Sequence, residues 1–228
     1  MRRPDTSSGE PLSAWSVSPA KRVFDVFVIV LLSPALALLL LVIALAVRLS
    51  SPGPVLFRQT RIGCAGVPFT IFKFRTMRDS ASDRRDVVAS AVNEQITPLG
   101  RTLRWLKFDE LPQLINVLRG EMSLVGPRPK IAAHQQSLFY CRPGVTGPAT
   151  LAFAREDALF ALIPAESLET YYRDVVLPLK NEIDSAYMAR ATFASDLRLL
   201  LRTAFRSWDT ESPIEVGTTV STSIATLI

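Results

Sequence analysis

The chain has 228 residues, enough for one domain with a proper core. Lys and Arg number 26 against 21 Asp and Glu, so the formal charge is +5, which suits an anionic partner: a membrane surface, a phosphate substrate or nucleic acid. Sparse aromatics and the lack of any nucleic-acid motif argue against nucleic acid, and one histidine with two scattered cysteines leaves no zinc cluster, disulfide framework or Cys-His nucleophile.

Residues 1–20 are polar, rich in Ser and Pro, and read as a disordered arm. Val26 to Val47 is an uncharged run of about 22 residues, long enough to cross a bilayer as one helix. Ser33-Pro34 interrupts it, and proline removes a helix hydrogen bond there. Lys21 and Arg22 precede the run, and Arg48, Arg58 and Arg61 follow it, so basic residues hold both ends to one side. On the residues alone, a kinked spanning helix and a re-entrant hairpin both stand.

Ser51-Pro52-Gly53-Pro54 is an abrupt turn. Val55 to Arg61 and Val67 to Phe74 are predicted strands, joined by Gly63-Cys64-Ala65-Gly66 as a hairpin turn. Lys73 and Arg75 alternate with Phe72 and Phe74, placing two cations on one face, either solvated or facing a site. Asp79 to Gln95 is charged and without period, a loop with some helix. Arg101 to Leu106 forms a short basic helix.

Adjacent carboxylates, Asp109 and Glu110, then open a predicted helix. Leu111, Leu114, Ile115 and Leu118 make an apolar stripe of period 3.6, Pro112 falls in the first turn, and Gly120 is the stop. Acids at such a position cap a helix and complement its dipole, or they do chemistry. Gly126-Pro127-Arg128-Pro129 is a rigid turn that brings one guanidinium back toward them. A helix over Lys130 to Tyr140 carries His134, which receives no role. Arg142-Pro143-Gly144-Val145-Thr146-Gly147 is a loop, followed by Arg155. Glu166 to Val176 and Pro178 to Arg190 are helices split at Pro178. Ser195 to Arg206, with Arg198, Arg202 and Arg206 four apart, is an amphipathic helix for a membrane interface or for the core. Residues 207–228 read as a flexible tail.

The stretch DELPQLxNVLxGxMSxVGPRP resembles the bacterial sugar transferases, the monotopic polyprenyl-phosphate phosphoglycosyl transferases. The resemblance extends, in family order, over Lys21-Arg22, Asp25, Ser33-Pro34, Ser51-Pro52-Gly53-Pro54, Phe57-Arg58-Gln59, Arg61-Ile62-Gly63, Lys73-Phe74-Arg75-Thr76-Met77 and Arg142 to Gly147, from about residue 20 to about 205. Lys180, Asp184 and Tyr187 also match family positions.

The resemblance implies an α+β, mainly helical monotopic membrane protein. Residues 21–50 would form a re-entrant helix-break-helix hairpin broken at Ser33 and Pro34, and residues 51–206 a transferase domain on the cytoplasmic face of the bacterial inner membrane. It implies Asp109 as nucleophile toward a UDP-sugar and Glu110 as ligand of Mg²⁺. Lys73, Arg75, Arg104, Arg128 and Arg155 would bind phosphates. UMP would leave, and polyprenyl phosphate would accept the phosphosugar, starting a glycan or exopolysaccharide. The partners expected are the UDP-sugar, the lipid phosphate, the bilayer and, as one option, a second copy in a homodimer. A non-catalytic basic scaffold at the membrane surface is the rival of a different class, and an enzyme that moves a sugar without its phosphate is the rival chemistry. Phe108 and Pro148 depart from the family pattern.

Overall fold

The computed structural model describes residues 11–78, 96–135, 139–154, 156, 160 and 163–206. Helix α1 (Pro19–Ser50) is one 32-residue element with Ser18 as its N-cap, accepting from the Lys21 amide. It is the one described helix long and apolar enough to cross a membrane. The hydrogen-bonded helix runs on through Pro34 and is not interrupted there. Proline strips the Val30 carbonyl of its helical donor, and the Ser33 hydroxyl takes that place at 2.7 Å, so the carbonyl stays satisfied in apolar surroundings.

Both ends of α1 hold the same body. Ile29 belongs to the main core, and Ile43 and Val47 to a second cluster with Phe74 and Leu103, whereas no residue from 30 to 42 is buried.

Strands β1 (Leu56–Ile62) and β2 (Pro68–Phe74) form the predicted antiparallel hairpin, in register from Leu56 opposite Phe74 to Ile62 opposite Pro68. Helix α2 (Pro98–Leu106) starts at the Thr97 cap and ends at Lys107, which adopts the left-handed conformation (φ 59°). Gly100 lies so close to Thr76 that a Cβ would stand 2.2 Å from its carbonyl oxygen. A 3₁₀ turn over Phe108–Gln113 leads into helix α3 (Leu114–Arg119), which Gly120 ends at φ 82°.

The predicted apolar stripe of this segment is divided: Leu111 and Leu114 are half-buried against the core clusters, and the other half faces outward. Ile115 and Leu118 are 39% and 48% exposed, while the buried face carries Gln113, Asn116 and Val117. Asn116 explains the inversion. Its amide donates to the Thr70 carbonyl (2.7 Å) and accepts from the Phe72 amide (3.3 Å), extending β2 with a side chain.

Two short strands went unforeseen. β3 (Ser123–Val125) and β4 (Gly144–Thr146) pair in parallel, so the segment 142–147 read as a loop is partly a strand. Glycine at 126, 144 and 147 permits this, since a Cβ on Gly144 would meet the Gly126 amide at 2.1 Å and one on Gly147 its carbonyl at 2.2 Å. Over Lys130 to Tyr140 the described residues hold only a 3₁₀ turn, Ala132–His134, in place of the predicted helix.

Helix α4 (Pro148–Ala152) precedes α5 (Ala165–Tyr171), a π turn over Tyr172–Val176, and α6 (Leu177–Arg190), with Pro178 in the first turn of α6, where a missing amide costs nothing. Helix α7 (Phe193–Arg206) packs on the core through Asp196 and Leu199, while Leu197, Leu201 and Phe205 are exposed. On the segment read as a loose arm, residues 11–18 pack on the body, with Leu12 in the core and the Ser13 amide bonded to the Met188 carbonyl at 2.9 Å. Residues 1–10, the loop 79–95 and the tail 207–228 lie outside the described residues.

Candidate active site

Asp109 and Glu110 sit in the 3₁₀ turn between α2 and α3, both buried, at 8% and 7% exposure. Neither side chain caps the turn. The sharp left-handed residue at Lys107 turns the chain inward, so the pair points at β2 and at the turn after β3.

Glu110 is well held. Its Oε1 accepts from Lys73 Nζ at 2.6 Å and from Arg128 Nη2 at 2.9 Å. Burial pushes its carboxyl up, but Arg128, Lys73 and Lys107 together outweigh burial and hold it well below the usual range. Arg128 is raised in return, chiefly by Glu110, and Lys73 is lowered by burial despite that same carboxylate.

Asp109 is in the opposite condition. Its Oδ1 is buried without a hydrogen-bond partner. Burial and the neighbouring Glu110 raise its carboxyl, against the fields of Lys73, Lys107 and Arg104. A carboxylate left underpaired beside several cations is poised to accept a new partner or to attack one.

The hollow beside Glu110 is lined by Arg61, Ile71, Lys73, Gln113, Arg128 and Pro129. Three of these are cations against one carboxylate, which is an anion-binding balance. Arg61 was not among the predicted site residues. Its guanidinium is lowered to about 10 by burial and by repulsion from Arg128. Its place on β1 was the sequence signal, but only the bridge of Ile62 to Lys130 and the bond from Arg61 Nη1 to the Pro129 carbonyl (3.4 Å) bring it to Arg128.

Among the other predicted residues, Arg104 donates from Nε to Thr76 Oγ1 at 3.0 Å and its field reaches Asp109. Arg75 does not join Lys73. It donates to the Ser51 carbonyl (2.7 Å) and hydroxyl (2.9 Å) at the exit of α1, with Nε and Nη1 buried and unpartnered. The alternation that placed both cations on one face is real, but β2 ends at Phe74 and the chain turns there. Arg155 lies outside the described residues. Ser33 and Pro34 lie in α1, away from the dyad in the exposed part of the helix.

Asp184 on α6 is fully buried, accepts from the Arg128 backbone amide at 3.3 Å, and is raised to about 7 by burial. It holds the main chain that presents Arg128. His134 stands 2.8 Å from Glu169 and stacks on Tyr172, away from the carboxylate pair.

Among the described residues no group of three or more His, Cys, Asp and Glu side chains gathers as a metal cage. Two adjacent carboxylates, one with an unpartnered oxygen, do fit a hard cation that arrives with phosphate oxygens.

A family model described as bacterial sugar transferase matches residues 16–209. A Caulobacter vibrioides protein named UDP-glucose:undecaprenyl-phosphate glucose-1-phosphate transferase is 41% identical over 86% of this chain and 72% of its own length. An Escherichia coli protein of the same name is 35% identical over 82% of this chain but 40% of its own length. The undecaprenyl-phosphate glucose phosphotransferase of Komagataeibacter xylinus is 52% identical over 52% of this chain and 22% of its own length. The chain thus spans less than half of the two longer relatives.

Proposed function

Because the chain belongs to the bacterial sugar transferase family and is therefore a transferase, we propose that it moves a sugar phosphate from a UDP-sugar to a polyprenyl phosphate. The observation that carries this reading is the unpartnered, buried oxygen of Asp109, next in the chain to Glu110, whose partners Lys73 and Arg128 line a hollow with surplus positive charge.

In the proposed reaction, the free Asp109 oxygen attacks the phosphorus that bears the sugar. The anhydride bond breaks, its electron pair leaves with UMP, and the phosphosugar stays on Asp109 as an acyl phosphate. An oxygen of polyprenyl phosphate then attacks the same phosphorus, frees the carboxylate and gives a polyprenyl-diphospho-sugar. Attack by one anion on another needs its repulsion screened. Lys73, Arg128 and Arg61 surround the donor's phosphates, and Arg104 and Lys107 face Asp109. A raised Asp109 carboxyl is also a better nucleophile once ionised than an ordinary aspartate. Glu110 is the residue that would hold Mg²⁺, which when bound neutralises charge on the diphosphate.

The same reading makes α1 re-entrant, entering and leaving by the cytoplasmic leaflet of the inner membrane with a bend at Ser33-Pro34. In a straight helix Ile29 and Ile43 would be about 21 Å apart, and a helix lying flat on the body would bury a residue on every turn. Both ends are instead seated, Ile29 in the main core and Leu39, Leu40, Ile43 and Val47 in the second cluster, while residues 30–38 join neither.

The test uses membrane-extracted full chain with a panel of UDP-sugars. Release of UMP together with a labelled protein–phosphosugar adduct is expected. Release of UDP means sugar transfer without phosphate, and release of neither leaves a membrane-surface scaffold.

A further inference from the structure

We infer that the exposed apolar face of α3, Ile115 and Leu118, with the half-buried Leu111 between it and the carboxylate pair, is the seat of the acceptor's hydrocarbon chain. This rests on the proposed reaction.

The segment is inverted for a water-soluble protein. Its polar side chains Gln113 and Asn116 are buried, and its apolar Ile115 and Leu118 are exposed. An exposed apolar pair over a polar-lined buried face is favourable where the outer face meets hydrocarbon.

The stripe is continuous with the apolar surface of α1. Leu111 packs against the cluster that contains Ile43 and Val47, and Leu114 against the core that contains Ile29. Arg22, just ahead of the apolar run, donates to the carbonyls of Val117 and Leu118 (2.8 Å for the latter) and pins α3 to the point where α1 leaves the body.

The stripe also starts at the residue after the carboxylate pair. A lipid phosphate that reaches Asp109 between Arg104 and Lys107 must send its tail away from the dyad. From Asp109 to Leu118 the segment advances roughly 15 Å, room for the first few isoprene units of a polyprenyl chain. Cations at one end and an uncharged apolar strip beyond them match a phosphate with a long hydrocarbon tail. They match a second protein surface less well, because the face lies on the same short segment as the reacting carboxylate.

The double variant Ile115→Gln/Leu118→Gln changes only exposed side chains and leaves the core intact. Leu201→Gln on α7, 50% exposed in the parent, serves as a control for general membrane seating. Each is assayed in phosphatidylethanolamine–phosphatidylglycerol vesicles with undecaprenyl phosphate and with a two-isoprene phosphate. The double variant is expected to form the phosphosugar adduct at the parent rate, yet to show a KM for undecaprenyl phosphate raised about tenfold, as loss of two apolar contacts implies. Its KM for the short acceptor should shift much less, and Leu201→Gln should leave both unchanged.

An unchanged KM in the double variant overturns the inference. So does an equal rise in Leu201→Gln, which makes the stripe a general bilayer contact, or a fall in detergent-solubilised mass from dimer to monomer with KM unaltered, which assigns the face to a second copy. Failure of the parent to form any adduct is a different result: it removes the proposed reaction, and this inference with it.

Discussion

Two of the clusters of buried charge among the described residues are built on opposite terms. Around Asp196, which is wholly buried, both carboxylate oxygens are satisfied: Lys21 and the Trp15 indole donate to one and the Tyr187 hydroxyl to the other, with buried Asp25 as a second acid in the field of Lys21. Around Asp109 and Glu110 the account is left open. Glu110 shares one oxygen between Lys73 and Arg128, Arg61 has no ion-pair partner among the described residues, and an oxygen of Asp109 has no hydrogen-bond partner. Burying unsatisfied groups costs stability, so a cluster kept for the fold is expected to be saturated. Arg75 and Asp184 also keep buried unpartnered atoms, so neither burial nor vacancy alone marks the site; at Asp109 vacancy coincides with neighbouring cations that line a hollow.

The sharpest way to break this comparison is Asp109→Asn. On the proposed mechanism it abolishes the labelled adduct, a loss on the order of 10⁴-fold or more. It should also raise Tm. The native carboxyl of Asp109 lies above its unfolded value, so its favourable contribution is present at low pH and is lost as pH rises through the folded pKa. The amide never incurs that loss. Full activity in Asp109→Asn would end the covalent reading.

Asp196→Ala should do the reverse. Opening a saturated buried pair costs about 3–5 kcal/mol, read as a lower midpoint in denaturant, while molecules that remain folded keep their rate of adduct formation. If activity per folded molecule falls as well, the two clusters are not separate in function.

Glu110→Gln comes next, with turnover reduced on the order of 10²-fold and the dependence on Mg²⁺ weakened. It should lower Tm, since Lys73 and Arg128 lose their shared anion. Arg61→Lys is milder. The charge remains but the fork does not, so the donor KM should rise about tenfold with kcat little changed.

The smallest effect is on the pH profile. Adduct formation should rise with pH through an acid limb displaced above the ordinary aspartate range, because only the ionised Asp109 attacks. An acid limb at the ordinary value would mean that the desolvation of Asp109 is relieved in solution.

Much of this was legible in the residues. Glycine, proline and alternation placed the β1–β2 hairpin within a residue or so, because those signals act over a few neighbours. The Asp109-Glu110 pair and the Arg128 turn stood out because an uninterrupted motif carried them. Sequence could not say that Ile115 and Leu118 face outward, since periodicity identifies a face without saying what covers it, and Asn116 reverses the choice only by bonding β2 across 46 positions of chain. Nor could it separate Lys73 from Arg75, which diverge where β2 ends, or find β3 and β4, three-residue strands held by glycine contacts between distant segments.

What the sequence determined by itself is therefore the inventory: an apolar helix with a proline in it, a hairpin, and two acids beside scattered arginines. Tertiary structure alone decided which cations meet Glu110, that Arg61 joins them, and that Asp109 is left short of a partner. The physical reason is range. Propensity and turn chemistry are settled by adjacent residues, whereas charge balance in a buried site is a sum over groups that only the folded chain brings within a few ångströms of one another.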